Sequence, residues 1–198
     1  MKLTAKILFA AGLWLILSGG YIHAKAALAQ ALIEWSWINA QAGMANPKPW
    51  PWADTWPVAV IEAPRLGARL VALEGDSGRT LAFGPGHAPG SALPGQPGLA
   101  LFSGHRDTHF SFLGGLKKGD VLFASVGGAV NHVYSVESMD VVDSRNARIA
   151  DDGSDSLLAL VTCWPLDGTA PGGPMRLVVT ARKVGEIPSA QGLGGGGR

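Results

Sequence analysis

From Val58 onward the chain is a succession of short β-branched or apolar runs broken by glycine and proline, and this punctuation restricts its fold most. The runs are VAVIEA (58–63), APRLGARLVAL (63–73), LALFSG (99–104), GDVLFASV (119–126), HVYSVESMDVV (132–142), SLLALVTC (156–163) and MRLVVTAR (175–182). Each is bounded by Gly/Pro punctuation or polar turns and rich in the residues that fit a pleated surface. Seven or eight strands at this spacing predict an all-β barrel or sandwich. The intervening stretch RTLAFGPGHAPGSALPGQPG (79–98) carries too much Gly and Pro for more than one helical turn. There is no internal repeat.

The first quarter of the chain reads differently. After Lys2 and Lys6, residues 7–22 (ILFAAGLWLILSGGYI) hold no charge until His23 and Lys25. Sixteen helical residues rise about 24 Å, somewhat short of a hydrocarbon core of about 30 Å. The run continues as the helix-favouring AKAALAQALI, so a tilted or snorkelling helix covers the deficit. The competing reading is a cleaved signal peptide, with SGG and HAKA as the small-residue sites. Apolar character persists past both, which favours a single-pass anchor at residues 1–25 that meets lipid through residues 7–22. The cationic N-terminal side predicts a cytoplasmic N-terminus and an outward-facing remainder in the cell (inner) membrane.

Residues 26–56 are expected to continue as helix and then become a linker rich in Pro and Trp. Five of the seven tryptophans fall between Glu34 and Trp56, and prolines 47, 49, 51 and 57 exclude helix from its later part. Two readings of Trp50, Trp52 and Trp56 stand level: contact with lipid headgroups, or packing of the linker onto the domain. The domain itself is expected over 57–184, with a disordered low-complexity tail at 185–198. Net charge is +1, from 16 Lys+Arg and 15 Asp+Glu, so nothing recommends a nucleic acid as partner.

The chemistry begins with Cys163, the one cysteine of the chain, which excludes an intramolecular disulfide and a cysteine-based zinc site. A free Cys is commonly an inert core thiol. Here it closes the apolar strand SLLALVTC, and Trp164 and Pro165 force the chain into a loop, so the thiol is held yet reachable. A thiol of ordinary pKa, about 8.5, is only slightly ionised at pH 7, so a nucleophile needs positive charge nearby. His105, in LALFSGHRDTHF, follows another apolar strand. Arg176 opens MRLVVTAR, thirteen positions after the cysteine (176 − 163). If the 157–163 and 175–181 strands pair antiparallel, Arg176 lies beside Cys163. Arg176 suits an oxyanion and His105 suits acid/base work.

Together these residues resemble the sortase family. The strand ending T-C-x-P (Thr162, Cys163, Pro165) with Arg176 after it resembles the sortase signature. GPGH (84–87), ALPGQPG (92–98) and SGHRDTHF (103–110) are similar to the pattern around the sortase histidine, with Ser103 where Ala is common. The likeness runs in order through residues 57–184, and PWPWADTWPV with the N-terminal anchor is most similar to the Gram-negative (class GN) branch. The resemblance implies a mainly β fold, a closed eight-stranded sortase-type β-barrel after an N-terminal transmembrane helix. It implies a cysteine transpeptidase, with Cys163 as nucleophile, His105 as acid/base and Arg176 as substrate and oxyanion ligand. Thr162 would be a supporting residue, with no metal and no cofactor. The implied partners are a secreted protein bearing a C-terminal sorting motif and an amine acceptor of the envelope or of a second protein. The setting would be periplasmic in a Gram-negative cell.

Other residues carry weaker signals. His105 and His109 have an H-x-x-x-H spacing, but the flanking Gly104 and phenylalanines predict a loop rather than a zinc helix. His87 either lines the cleft or holds a turn. Arg106 and Asp107 either orient the loop around His105 or form a plain surface pair. Asp151, Asp152 and Asp155 lack calcium-loop spacing and predict a solvated turn. Glu62, Glu74 and Glu137 are expected to face outward from strands. Two other functions remain in play: a cysteine hydrolase or L,D-transpeptidase-like envelope enzyme, and a membrane-tethered β-domain that binds envelope partners. The first usually places His and Cys close together, whereas here they lie 58 residues apart (163 − 105).

Overall fold

The structure is a computed structural model and describes residues 2–127, 130–149, 153–168 and 172–188. It opens with one continuous helix, α1 (Lys2–Gln41), about 60 Å long at 1.5 Å per residue. Residues Leu3–Gln41 form the one helix, among those described, long and apolar enough to cross a membrane. Leu8, Phe9, Trp14 and Tyr21 are among the exposed large side chains of its N-terminal half.

The last three turns of α1 behave differently, because they dock on the domain. Ile33 and Trp37 are almost wholly buried. Gln30 Nε2 donates to Phe83 O at 2.7 Å, and Arg69 grips Glu34 through two parallel bonds of 2.9 and 3.0 Å. The linker then folds back, with the Ser36 hydroxyl donating to Pro47 O and Thr55 Oγ1 to Glu74 O. The tryptophans divide between the two readings of the linker. Trp50 meets Phe83 edge-on at 4.9 Å, whereas Trp52 is 82% exposed.

Eight strands form the domain: β1 (Pro57–Ala63), β2 (Ala68–Glu74), β3 (Gly86–His87), β4 (Gly98–Ser103), β5 (Val121–Ser125), β6 (Val130–Asp143), β7 (Ser156–Cys163) and β8 (Met175–Pro188). They close into a barrel in the order β1-β2-β3-β4-β7-β8-β6-β5, with β5 returning to β1. All neighbours are antiparallel except β2 with β3 and β4 with β7. Closure leaves no sheet edge and fills the interior with side chains. Phe102, Phe110, Leu113, Leu122, Tyr134, Leu158 and Leu160 form the centre of that interior.

Two elements differ from the sequence-based expectation. The two-residue strand β3 lies inside the Gly/Pro-rich stretch, after a single helical turn, α2 (Gly78–Leu81). At two residues β3 is too short to show alternation in the sequence, and it pairs Leu73↔Gly86 on one side and His87↔Phe102 on the other. The other difference is at the end of the domain. The strand β8 continues to Pro188 and pairs with β6 as far as Val130, four residues into the expected tail at 185–198. Glu186 supports this extension through Lys183 and His132. Residues 189–198, expected as tail, lie outside the described residues, as do Asp151 and Asp152.

Inward and outward positions on β7 should be separable by experiment. Leu160 is fully buried in the core, whereas Leu157 lines a groove outside the barrel. Leu160→Ala should lower the unfolding free energy by about 2–5 kcal/mol, and Leu157→Ala by less than half as much. Equal losses in denaturant titrations of the detergent-solubilised protein would contradict this facing.

Candidate active site

Three chain ends meet at one rim of the barrel. Because β4 and β7 run parallel with Ser103 opposite Val161, both deliver their C-terminal ends to the same side. There the Gly104 amide donates to Val161 O at 3.1 Å, and the buried Thr162 hydroxyl donates to Gly104 O at 2.7 Å. These two bonds tie the residue before His105 to the two residues before Cys163. Gly104 is required by packing: a Cβ there would stand 2.7 Å from the Phe110 ring. The Phe110 amide in turn donates to His105 O at 2.9 Å and closes the histidine loop.

The third end belongs to β8. It pairs antiparallel with β7, and its register puts Cys163 directly opposite Arg176. One further bond, from the Trp164 amide to Met175 O at 3.0 Å, continues this pairing past the cysteine. Cys163 is half-buried and His105 exposed. The Arg176 guanidinium donates through Nη1 to Gly173 O at 2.6 Å and Met175 O at 2.9 Å.

A groove of about 610 Å³ runs along the outside of β4, β7 and β8. Leu99, Leu101, Leu157, Val161 and Val178 make its apolar floor, and Arg176 belongs to its wall. This explains why β7 reads as apolar on both faces: Leu158 and Leu160 fill the barrel while Leu157 and Val161 face the groove. Cys163–Arg176 and Leu157–Arg182 are the two ends of the ladder, about 20 Å apart at 3.3 Å per residue. At the far end Arg182 bonds Glu137 at 2.7 Å and also engages Asp155. Ala147, Arg148 and Ile149, in the connection from β6 to β7, form the other wall. That connection starts from a fixed point, since the Arg145 guanidinium and then its own amide hold the Asp143 carboxyl down at about 2 instead of 3.8. The pair therefore stays ionised at any pH near neutrality.

The remaining candidates separate clearly. His87 is buried on β3, with Nδ1 3.2 Å from Glu74 Oε2 and Nε2 within reach of Ala92 O and the Ser91 hydroxyl. It holds the β2–β3 corner, and it makes Glu74 a partnered carboxylate. Glu62 and Glu137 pair with Arg69 and Arg182. Asp107 is exposed beside the histidine loop. Burial first, and then the neighbouring His105, push His109 below the ordinary imidazole range, against an opposing pull from Asp107. Among the described residues, no three His, Cys, Asp or Glu gather as a metal site. Sequence reasoning missed the contacts of Arg106. Its guanidinium reaches across to Pro165 O at 2.9 Å and to Gly168 O, in the turn after Cys163. It also missed the groove floor, whose signal was the pairing of outward leucines on LALFS and SLLALV.

The bond from Thr162 gives a direct test of this construction. Replacing the hydroxyl with a methyl in Thr162→Val leaves Gly104 O without its donor, which should cost about 1–3 kcal/mol of stability. Thr162→Ser should keep most of it. A Val variant as stable as the parent in thermal or denaturant unfolding would show that the bond contributes nothing.

Comparison with known proteins agrees with this architecture. A family model described as Sortase domain matches residues 61–184. Sortase D of Bacillus subtilis (strain 168) is 30% identical over 127 residues, covering 63% of this chain and 63% of its own length. The chain thus spans less than two thirds of that relative. Among solved structures, Sortase A from Corynebacterium diphtheriae superimposes with a TM-score of 0.60 at 25% identity, covering 80% of this chain and 83% of that one. Sortase C-1 from Actinomyces oris gives 0.55 at 32% identity, covering 65% and 75%. With the family model spanning most of the chain and the same barrel recurring in these structures, the protein belongs to the sortase family.

Proposed function

We propose that this protein is a membrane-anchored cysteine transpeptidase that cleaves a C-terminal sorting motif of a secreted protein and transfers it to an amine. The observation that carries the reading is that the strand ends leading to His105, Cys163 and Arg176 reach one rim, where Arg176 borders an apolar groove. An extended peptide lying along the groove floor brings a backbone carbonyl to Cys163. The thiolate attacks that carbonyl, and Arg176 stabilises the oxyanion. Its Nη1 is engaged with Gly173 O and Met175 O, so Nε and Nη2 supply the donors for substrate. The carbon–nitrogen bond breaks, His105 gives its proton to the leaving amine, and a thioester remains on Cys163. A second amine then attacks the thioester, His105 takes up its proton, and the thiolate is released.

The same reading assigns α1 as the anchor, with residues 7–22 in lipid and the barrel on the outer side. The Pro/Trp stretch at 49–58 supports membership of the Gram-negative branch, where that side is the periplasm.

Three measurements test the chemistry. A methanethiosulfonate reagent should label Cys163 in the folded protein and abolish transfer, and Cys163→Ala should form no thioester by mass spectrometry. Arg176→Ala should lose at least ~10²-fold in rate, the scale of one oxyanion donor. A thiol inert until denaturation, or near-normal turnover by either variant, overturns the proposal. The anchor is checked separately: α1 should keep the protein in the membrane fraction through alkaline extraction, and release into the supernatant contradicts it.

A further inference from the structure

We infer that Arg106 is a positioning residue of the transfer reaction, strapping the turn after the nucleophile to the loop that carries the acid/base. The inference rests on the assignment of Cys163 and His105 made above. It starts from a weakness in the fold. The last main-chain tie between β4 and β7 is the Gly104 amide on Val161 O, and the Thr162 hydroxyl adds one more residue. Past that level the ladder between the two strands has ended, yet both reacting side chains lie beyond it. His105 is exposed, and Cys163 leads into Trp164–Gly168, a surface turn closed by the Gly168 amide on Pro165 O at 3.2 Å.

The guanidinium of Arg106 spans this gap. Its Nη1 donates to Pro165 O at 2.9 Å and its Nη2 to Gly168 O, so one planar fork holds both carbonyls of the turn. A rigid fork fixes distance and angle together, which a single ammonium on a flexible stem does not. Gly168 is matched to this fork. A Cβ at that position would stand 2.9 Å from Arg106 Nη1, so any larger residue displaces the guanidinium.

A second pin lies on the other side of the turn. Leu166 packs on the barrel core and closely approaches Gly114, where a Cβ would meet its Cδ1 at 2.7 Å. Gly114 belongs to the short 3-10 turn Ser111–Gly115 that follows the histidine loop. The turn after Cys163 is therefore held from both flanks by the segment that begins at His105. The two reacting residues then move as one body when a peptide enters the groove. Proton transfer needs heavy atoms within about 2.6–3.2 Å, and a misplacement of about 1 Å costs on the order of 10²-fold in rate.

The test uses the full-length detergent-solubilised protein, p-nitrophenyl acetate as acyl donor and diglycine as amine acceptor. In this assay the thiolate takes the acetyl group, p-nitrophenolate leaves, and the diglycine amine then displaces the thiolate. Arg106→Ala should lower kcat by roughly ten- to a hundredfold while KM for either probe changes less than twofold. Arg106→Lys should fall between, and guanidinium ion added at a non-denaturing concentration should restore part of the rate of the Ala variant. Gly168→Ala, which keeps the arginine in the sequence but displaces its guanidinium, should show the same kcat-selective loss. The backbone amides of Trp164 and of residues 166–168 should exchange faster in Arg106→Ala, a readout that needs no turnover. Unchanged amide exchange, or a slow Ala variant that guanidinium fails to speed, overturns the strap. Ester turnover in Cys163→Ala equal to the parent instead overturns the catalytic assignment, and amide exchange then decides the strap alone.

Discussion

The parallel pairing of β4 with β7 is the constraint from which the candidate site follows. Parallel neighbours cannot be joined by a hairpin, so the chain leaves β4, builds β5 and β6, and returns to lay β7 beside it. Both strands then end at one rim, and β8, antiparallel to β7, must begin there. The strand ends leading to His105, Cys163 and Arg176 reach the same rim through that pairing and the antiparallel return of β8, although His105 and Cys163 lie 58 residues apart (163 − 105). A closed barrel fixes the relation firmly, because slipping one strand would disturb the register of every other.

The rim also explains how polar groups are distributed near the cysteine. The barrel side is dry, and Thr162 satisfies its hydroxyl there on Gly104 O. The outer side carries a groove of leucine and valine with arginines along it, Arg176 at the cysteine end and Arg182 at the other. Arg182 is tied to Glu137 and Asp155, whereas among the described residues Arg176 donates through Nη1 to the main-chain carbonyls of Gly173 and Met175. Carbonyl partners neutralise no charge, so Arg176 presents more of its field to the groove than Arg182 does. That difference sets the cysteine end apart electrostatically.

Much of this was legible in the sequence, for reasons that particular residues show. SLLALVTC and MRLVVTAR are consecutive apolar runs, and antiparallel pairing of the two sets the end of one beside the start of the other, as the register of Cys163 opposite Arg176 bears out. The strand β3 was not legible, since Gly86 and His87 pair through backbone and sit among prolines. His87 looked like a cleft candidate because its fixed partners, Glu74 and Ala92 O, come from other elements. The strap was hidden for a similar reason: the acceptors of Arg106 are main-chain carbonyls, which have no signature in the sequence. The end of β8 ran past its expected boundary because GEIP has low strand propensity, and its pairing with β6 overrides that.

The docking of α1 bears on how the proposed anchor works. Glu34 and Arg69 are each about two-fifths exposed, so their bidentate pair contributes at most about 1 kcal/mol. Burial of Ile33 and Trp37 contributes more, about 1.5–3 kcal/mol for a large apolar side chain. Apolar contact thus holds the helix to the barrel, and the ion pair and Gln30 fix its rotation. With residues 7–22 in hydrocarbon, Gln30 stands eight residues beyond (30 − 22), about 12 Å further along a continuous helix. No flexible tether intervenes between the helix and the first docking contact. On that reading the barrel sits close above the headgroups in one orientation, and the groove meets the bilayer at a set height.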